Sequence, residues 1–223
     1  SPITLTLNAT NNNSCQVSDS TEITIKKKPI ANAGAPVSIC LGSGNYVVND
    51  ASAFYYDATV TTNLKWTVLS GPGQILSGTQ NQINPTIEQT GGAGEVVLSL
   101  SVIGYTECNT TLVKTKTITI VAPPVITIPS TKTICEGTTL TLTSLDVSTT
   151  NSSSVLWLAT QGTFSPVNTA ATLYTPAVGQ TGLINLNLTA NSIAGSGCSN
   201  SSRSIALTII PSPIVNAGLD ASI

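Results

Sequence analysis

Val96-Val-Leu-Ser-Leu-Ser-Val102 sets apolar side chains at 98, 100 and 102 against serines at 99 and 101, and Ile184-Asn-Leu-Asn-Leu-Thr-Ala190 repeats the pattern. Period-two alternation is the mark of a strand with one face buried and one face wet. Thr, Val and Ile dominate such runs, and their branched Cβ suits a pleated surface. No window of the chain shows the i, i+3, i+4, i+7 spacing of an amphipathic helix. The fold is therefore read as all-β.

Working outward from these two strands, the same succession of signals surrounds each. A Pro-rich junction opens the unit (Lys28-Pro29; Pro123-Pro124; Pro211-Ser-Pro213) and an extended segment leads to a cysteine. A β run follows, Asn45-Tyr-Val-Val48 or Thr138-Thr-Leu-Thr-Leu-Thr143, then a Trp strand, Leu64-Lys-Trp-Thr-Val68 or Val155-Leu-Trp-Leu-Ala159. After the alternating strand comes a second cysteine and a closing strand, Lys116-Thr-Ile-Thr-Ile120 or Ile205-Ala-Leu-Thr-Ile209. Pro29-Ile-Ala-Asn-Ala-Gly34 returns as Pro213-Ile-Val-Asn-Ala-Gly218, and Cys40-Leu-Gly42 as Cys135-Glu-Gly137. Trp66 recurs as Trp157, and Cys15 as Cys108 and Cys198. These markers agree on a period of about 92 residues, the sign of a tandem array. About seven short strands per unit, separated by turn signals, predict a β-sandwich. The expected division is 1–28 as the closing hairpin of a preceding repeat, 29–122 and 123–211 as repeats, and 212–223 as the start of the next. A cysteine is expected to follow Ile223.

Composition excludes much chemistry. Only 8% of the 223 residues are charged and there is no His, against an average charged fraction near ~25%. No catalytic triad or zinc site built on His is available. Eight basic residues against ten acidic ones give no footprint for nucleic acid. No apolar run approaches the ~20 residues of a membrane span. The acids do not recur between units, so no shared active site and no enzyme is expected, and neither cofactor nor metal is called for.

Five cysteines in such a chain point to an oxidising compartment outside the cell. Metal ligation is the rival, but no Cys-x-x-Cys pair is present. Each unit holds two cysteines, so the repeat predicts Cys40–Cys108 and Cys135–Cys198 disulfides, with Cys15 unpaired because its partner lies upstream. Trp66 and Trp157, at equivalent places, are read as core residues rather than a sugar-stacking platform. Tyr55 and Tyr56 have no counterpart in the second unit and are the candidate ligand contacts. Lys26-Lys-Lys28 is read as a solvated strand end guarding an edge. Asn109-Thr-Thr111 and Asn187-Leu-Thr189 match the N-glycosylation triplet, although Asn187 sits in a strand.

The order Pro…Asn-Ala-Gly…Ile-Cys-x-Gly…Trp…alternating strand…Cys…Thr-Ile-x-Ile resembles the tandem PKD-like or immunoglobulin-like repeats of very large Bacteroidota surface proteins, most of all the repeat region of their gliding-motility adhesins. The Trp-Asp-Phe-Gly-Asp-Gly signature of PKD domains is absent after Trp66 and Trp157. The resemblance implies type IX secretion, attachment at the outer membrane, and O-glycosylation at Ser20 within Asp19-Ser20-Thr21. It implies a stalk or multivalent adhesive fibre, with neighbouring repeats of the same chain, surface polysaccharide or a substratum as partners. A carbohydrate-binding or accessory module of a secreted polysaccharide-degrading enzyme is the alternative.

Overall fold

The computed structural model describes residues 2–108, 110–216 and 218. Asn109 of the first triplet, Ala217 of the returning Asn-Ala-Gly motif, and residues 219–223 lie outside them. Among the described residues there are twenty strands and no helix.

An antiparallel hairpin opens the chain, pairing β1 (Ile3–Thr10) with β2 (Gln16–Ile23) in the register Ile3↔Ile23, Leu5↔Thr21. Both strands are exposed along their whole length. Next come β3 (Ile30–Asn32), β4 (Val37–Cys40), β5 (Tyr46–Val47), β6 (Ser52–Phe54), β7 (Leu64–Ser70), β8 (Gly73–Ile75), β9 (Thr86–Gln89), β10 (Gly94–Ile103) and β11 (Thr111–Val121). The same sequence of elements then recurs as β12 (Val125–Thr127), β13 (Thr131–Cys135), β14 (Leu140–Leu142), β15 (Ser148–Thr150), β16 (Ser154–Leu158), β17 (Thr163–Ser165), β18 (Thr172–Thr175), β19 (Gly182–Asn191) and β20 (Ser201–Ile210).

The sheets repeat as well. Strand orders β4-β11-β10-β7, β5-β9-β8 and β3-β6 return as β13-β20-β19-β16, β14-β18-β17 and β12-β15. Nine strands stand where about seven were expected in each set. The surplus arises because the segment after each Pro junction forms a short strand of its own and pairs with another, β3 with β6 and β12 with β15.

Two compact units result. The first holds Ser1–Val37, Asn45–Gly91 and Glu95–Ile118, and the second Ser38–Gly44, Gly92–Gly94 and Thr119–Ile223. In the first, the inward positions of the alternating strand fill the core: Leu98, Leu100 and Val102 are fully buried beside Leu64, Trp66, Ile87 and Ile118. In the second, Leu186, Leu188 and Ala190 do the same with Leu142, Trp157, Tyr174, Ile205 and Leu207.

The two tryptophans hold matching registers, Trp66 opposite Leu100 and Trp157 opposite Leu188. Their surroundings differ. Trp157 Nε1–H donates to the carbonyls of Thr169 and Ala170 at 3.1 and 3.2 Å, and its ring stacks on Phe164 at 5.3 Å. Trp66 Nε1 is buried with no acceptor. A buried donor without a partner contributes nothing to offset its desolvation. Trp157→Phe is therefore expected to cost about 1–2 kcal/mol more than Trp66→Phe, and urea midpoints of the two variants check the difference.

Candidate functional site

The cysteines are the part of the chain where sequence position becomes chemistry. Cys40 ends β4 and Cys135 ends β13. Cys108 and Cys198 lie in the loops that precede β11 and β20. The structure bonds Cys40 to Cys198, with Cα atoms 4.8 Å apart and a sequence separation of 158. Cys15, Cys108 and Cys135 are free thiols. The Cys40–Cys108 and Cys135–Cys198 pairs expected from the repeat are not formed.

Strand direction explains the correction. β13 runs parallel to β20, and the register places Cys135 opposite Ile210, at the end of that strand. Cys198 lies three residues before Ser201, where β20 begins. Ten residues of strand separate the two positions, roughly 30 Å, whereas a disulfide needs Cα atoms within about 7 Å. The same obstacle stands along β11. Leu41 N donates to Val121 O at 2.8 Å, which sets Cys40 at the end of the strand, and Cys108 precedes its first residue, Thr111.

The bond that does form sits in a polar hollow. Cys198 Sγ lies 3.5 Å from the Val121 carbonyl oxygen, and Cys198 N donates to Ser196 Oγ at 3.2 Å. Leu41, Ser43, Pro124, Gly197 and Asn200 are among the residues lining a 420 Å³ hollow beside it. Both cysteines belong to the second compact unit.

A second local assembly surrounds the Asn-Ala-Gly motif. Asn32 Oδ1 accepts from Gly34 N at 2.9 Å, and Asn216 Oδ1 accepts from Gly218 N at 2.8 Å, the same contact in both copies of the motif. In the first copy the turn folds over Asp50, whose carboxylate accepts from Ala35 N. Lys116 Nζ donates to Asp50 at 2.8 Å and to Ala35 O at 2.7 Å. The Lys116 side chain has no solvent exposure and that of Asp50 has 38%. Gly34 has φ +89, and a Cβ there would fall onto the Asp50 carboxylate, so only glycine fits.

The hydrogen bond from Lys116 holds the Asp50 carboxyl below the usual carboxylate range. Lys132 does the same for Asp146, bringing it to about 2, helped by Thr143 N–H and Oγ–H. Both shifts are depressions, so the stabilisation they carry is complete above the unfolded carboxyl value near ~4 and is lost as pH falls through the folded one. Stability should therefore drop between about pH 4 and pH 2. Asp146→Asn should flatten part of that drop, measured as thermal midpoint against pH.

The remaining candidates are placed as follows. Tyr55 is exposed, with φ 60, and Lys27 Nζ stands 4.8 Å over its ring. Lys26 Nζ covers Tyr105 in the same way at 4.6 Å. The sequence set the lysine run and Tyr55 apart as separate features and gave no sign of Tyr105, so the stacking of two lysines on rings was not foreseen. Tyr56 is half-buried. Ser20 is exposed in the middle of β2, its N–H donating to Asp19 Oδ1. Asn187 accepts from Ser204 Oγ across β19 and β20. Among the described residues no cluster of three metal-ligating residues occurs and no helix is long and apolar enough to cross a membrane.

No family model matches the sequence, and no curated protein matches it. Solved structures do. The chain is similar to the I67–I69 I-band fragment of titin at 12% identity and TM-score 0.45, over 82% of this chain and 66% of that one. The match thus spans just under two thirds of the titin fragment. It is similar to the D00–D0 domain of intimin at 13% identity and TM-score 0.44, over 82% and 100%. It is also similar to protocadherin gamma C5 EC1–3 at 12% identity and TM-score 0.43, over 93% and 77%. The chain is all-β, its sheets returning in the same strand order from one set of nine strands to the next, with a disulfide between Cys40 and Cys198.

Proposed function

We propose that this chain is a repeat segment of a long exported cell-surface fibre, with 29–122 and 123–211 as its repeats, serving as stalk or multivalent adhesive surface. The observation that carries the reading is the element-by-element return of β3–β11 as β12–β20 together with a disulfide spanning 158 residues. Repeats that stack in one dimension suit an extended spacer, and a disulfide suits an oxidising exterior. Few charges and outward Thr, Ser and Asn leave few sites for trypsin-like cleavage, which favours a fibre exposed outside the cell. The finer reading is a gliding-motility adhesin exported by the type IX system and held at the outer membrane. Antibodies raised to residues 1–223 should label intact, unpermeabilised source cells as surface threads and slow their translocation. Labelling that requires permeabilisation contradicts the proposal.

The carbohydrate-binding alternative draws on exposed Tyr55. A glycan array showing binding that is abolished in Tyr55→Ala favours it. Binding to no glycan favours the spacer.

A further inference from the structure

The three free cysteines are not scattered. Each occupies a position whose counterpart is bonded. Cys135 is held as Cys40 is: Glu136 N donates to Ile210 O at 2.8 Å as Leu41 N does to Val121 O, and Thr138 N donates to Cys135 O at 3.1 Å as Ser43 N does to Cys40 O. Cys108 is held as Cys198 is. Its Sγ lies 3.9 Å from the Lys26 carbonyl, and Cys198 Sγ lies 3.5 Å from that of Val121. Lys26 follows Thr21-Glu-Ile-Thr-Ile25 just as Val121 follows Lys116-Thr-Ile-Thr-Ile120, so the two sulfurs face the same carbonyl of the repeat. Cys15 keeps this register one copy further back.

We infer that one pairing rule runs along the array: the first cysteine of each copy bonds the second cysteine of the next. Cys40–Cys198 is the instance in which both members are present. Cys135 and Cys108 are half-sites shaped for the thiol of a following and a preceding copy of this same unit. The inference rests on the register of the repeats and not on where the fibre is anchored. Its chemistry is ordinary thiol–disulfide exchange. Two thiols lose two protons and two electrons to a small-molecule disulfide such as oxidised glutathione, which leaves as two thiols. Applied at every junction, the rule gives overlapping covalent loops, each closed across two copies, so that no point along the array relies on backbone alone.

The test lengthens the intact chain. A copy of residues 123–211 carrying Cys135→Ser is inserted after Pro211, the protein is oxidised with glutathione, and free thiols are alkylated before peptide mapping. The expected result is loss of the original Cys135 thiol, which appears linked to the inserted copy's second cysteine, with Cys40–Cys198 unchanged. The reciprocal chain duplicates residues 29–122 ahead of Pro29, with Cys108→Ser in the duplicate. There the original Cys108 should link to the duplicate's first cysteine. Cys135 and Cys108 both staying fully alkylated while Cys40–Cys198 is intact overturns the rule, as does either cysteine pairing within its own copy.

Discussion

Pulled from its two ends in oxidising buffer, the chain should release only the residues outside the Cys40–Cys198 loop, and reductant should add roughly 540 Å of contour length at about 3.4 Å per residue. The figure follows from the sequence separation of 158. Disulfides confined to single repeats would enclose 68 and 63 residues, giving roughly 445 Å in two separate increments. Single-molecule traces with and without dithiothreitol separate the two outcomes. A bond that encloses most of the chain caps over-extension. It also keeps the segment connected after a backbone cut anywhere between the bonded cysteines.

The second large effect centres on Lys116. In the closing strand, Lys116 occupies the inward position that Ile205 fills in the later copy, and both are buried. An ammonium in an apolar core is tolerated only if paired, and Asp50 with the Ala35 carbonyl supplies the pairing. Asp50→Ala should cost about 3 kcal/mol, the lower end for stranding a buried charge, because the Asp50 carboxylate is 38% exposed. Lys116→Ile should be neutral or stabilising, as replacement of a buried ion pair by a fitting apolar group often is. The double variant should recover most of the loss. Urea denaturation of the two single variants and the pair gives the coupling directly, and equal losses in Asp50→Ala and the double variant contradict the account.

The sheets were legible in the sequence because alternation is local: Leu98, Leu100 and Val102, or Leu186 and Leu188, announce their buried face without reference to anything distant. The tryptophan positions were legible from recurrence. The disulfide was not. A repeat that supplies one early and one late cysteine fits pairing within a copy and pairing across copies equally well, since both schemes have the same period. The choice depends on which end of β11 and β20 each cysteine occupies, and that requires the parallel pairing of β13 with β20. Asp50 and Lys116 escaped for a related reason. Asp50 and Asp146 each stand two residues before corresponding strands, β6 and β15, and each pairs with a lysine, but their spacing of 96 was hidden among scattered acids, and nothing local in a Thr-Ile strand announces the carboxylate that folds over Lys116. The rings of Tyr55 and Tyr105 are far in sequence from the lysines that cover them.

The Cys40–Cys198 bond is most directly tested by a non-reducing tryptic map of the oxidised 223-residue chain with its thiols blocked. Cleavage after Lys65, Lys114, Lys132 and Arg203 puts Cys40 in the peptide ending at Lys65, Cys108 in 66–114, and Cys135 with Cys198 in 133–203. The peptide holding Cys40 should travel with 133–203, carrying an alkylated Cys135, and part from it on reduction, while 66–114 appears alone with Cys108 alkylated. Recovery of the Cys40 peptide bonded to 66–114, with 133–203 closed on itself, would contradict the pairing.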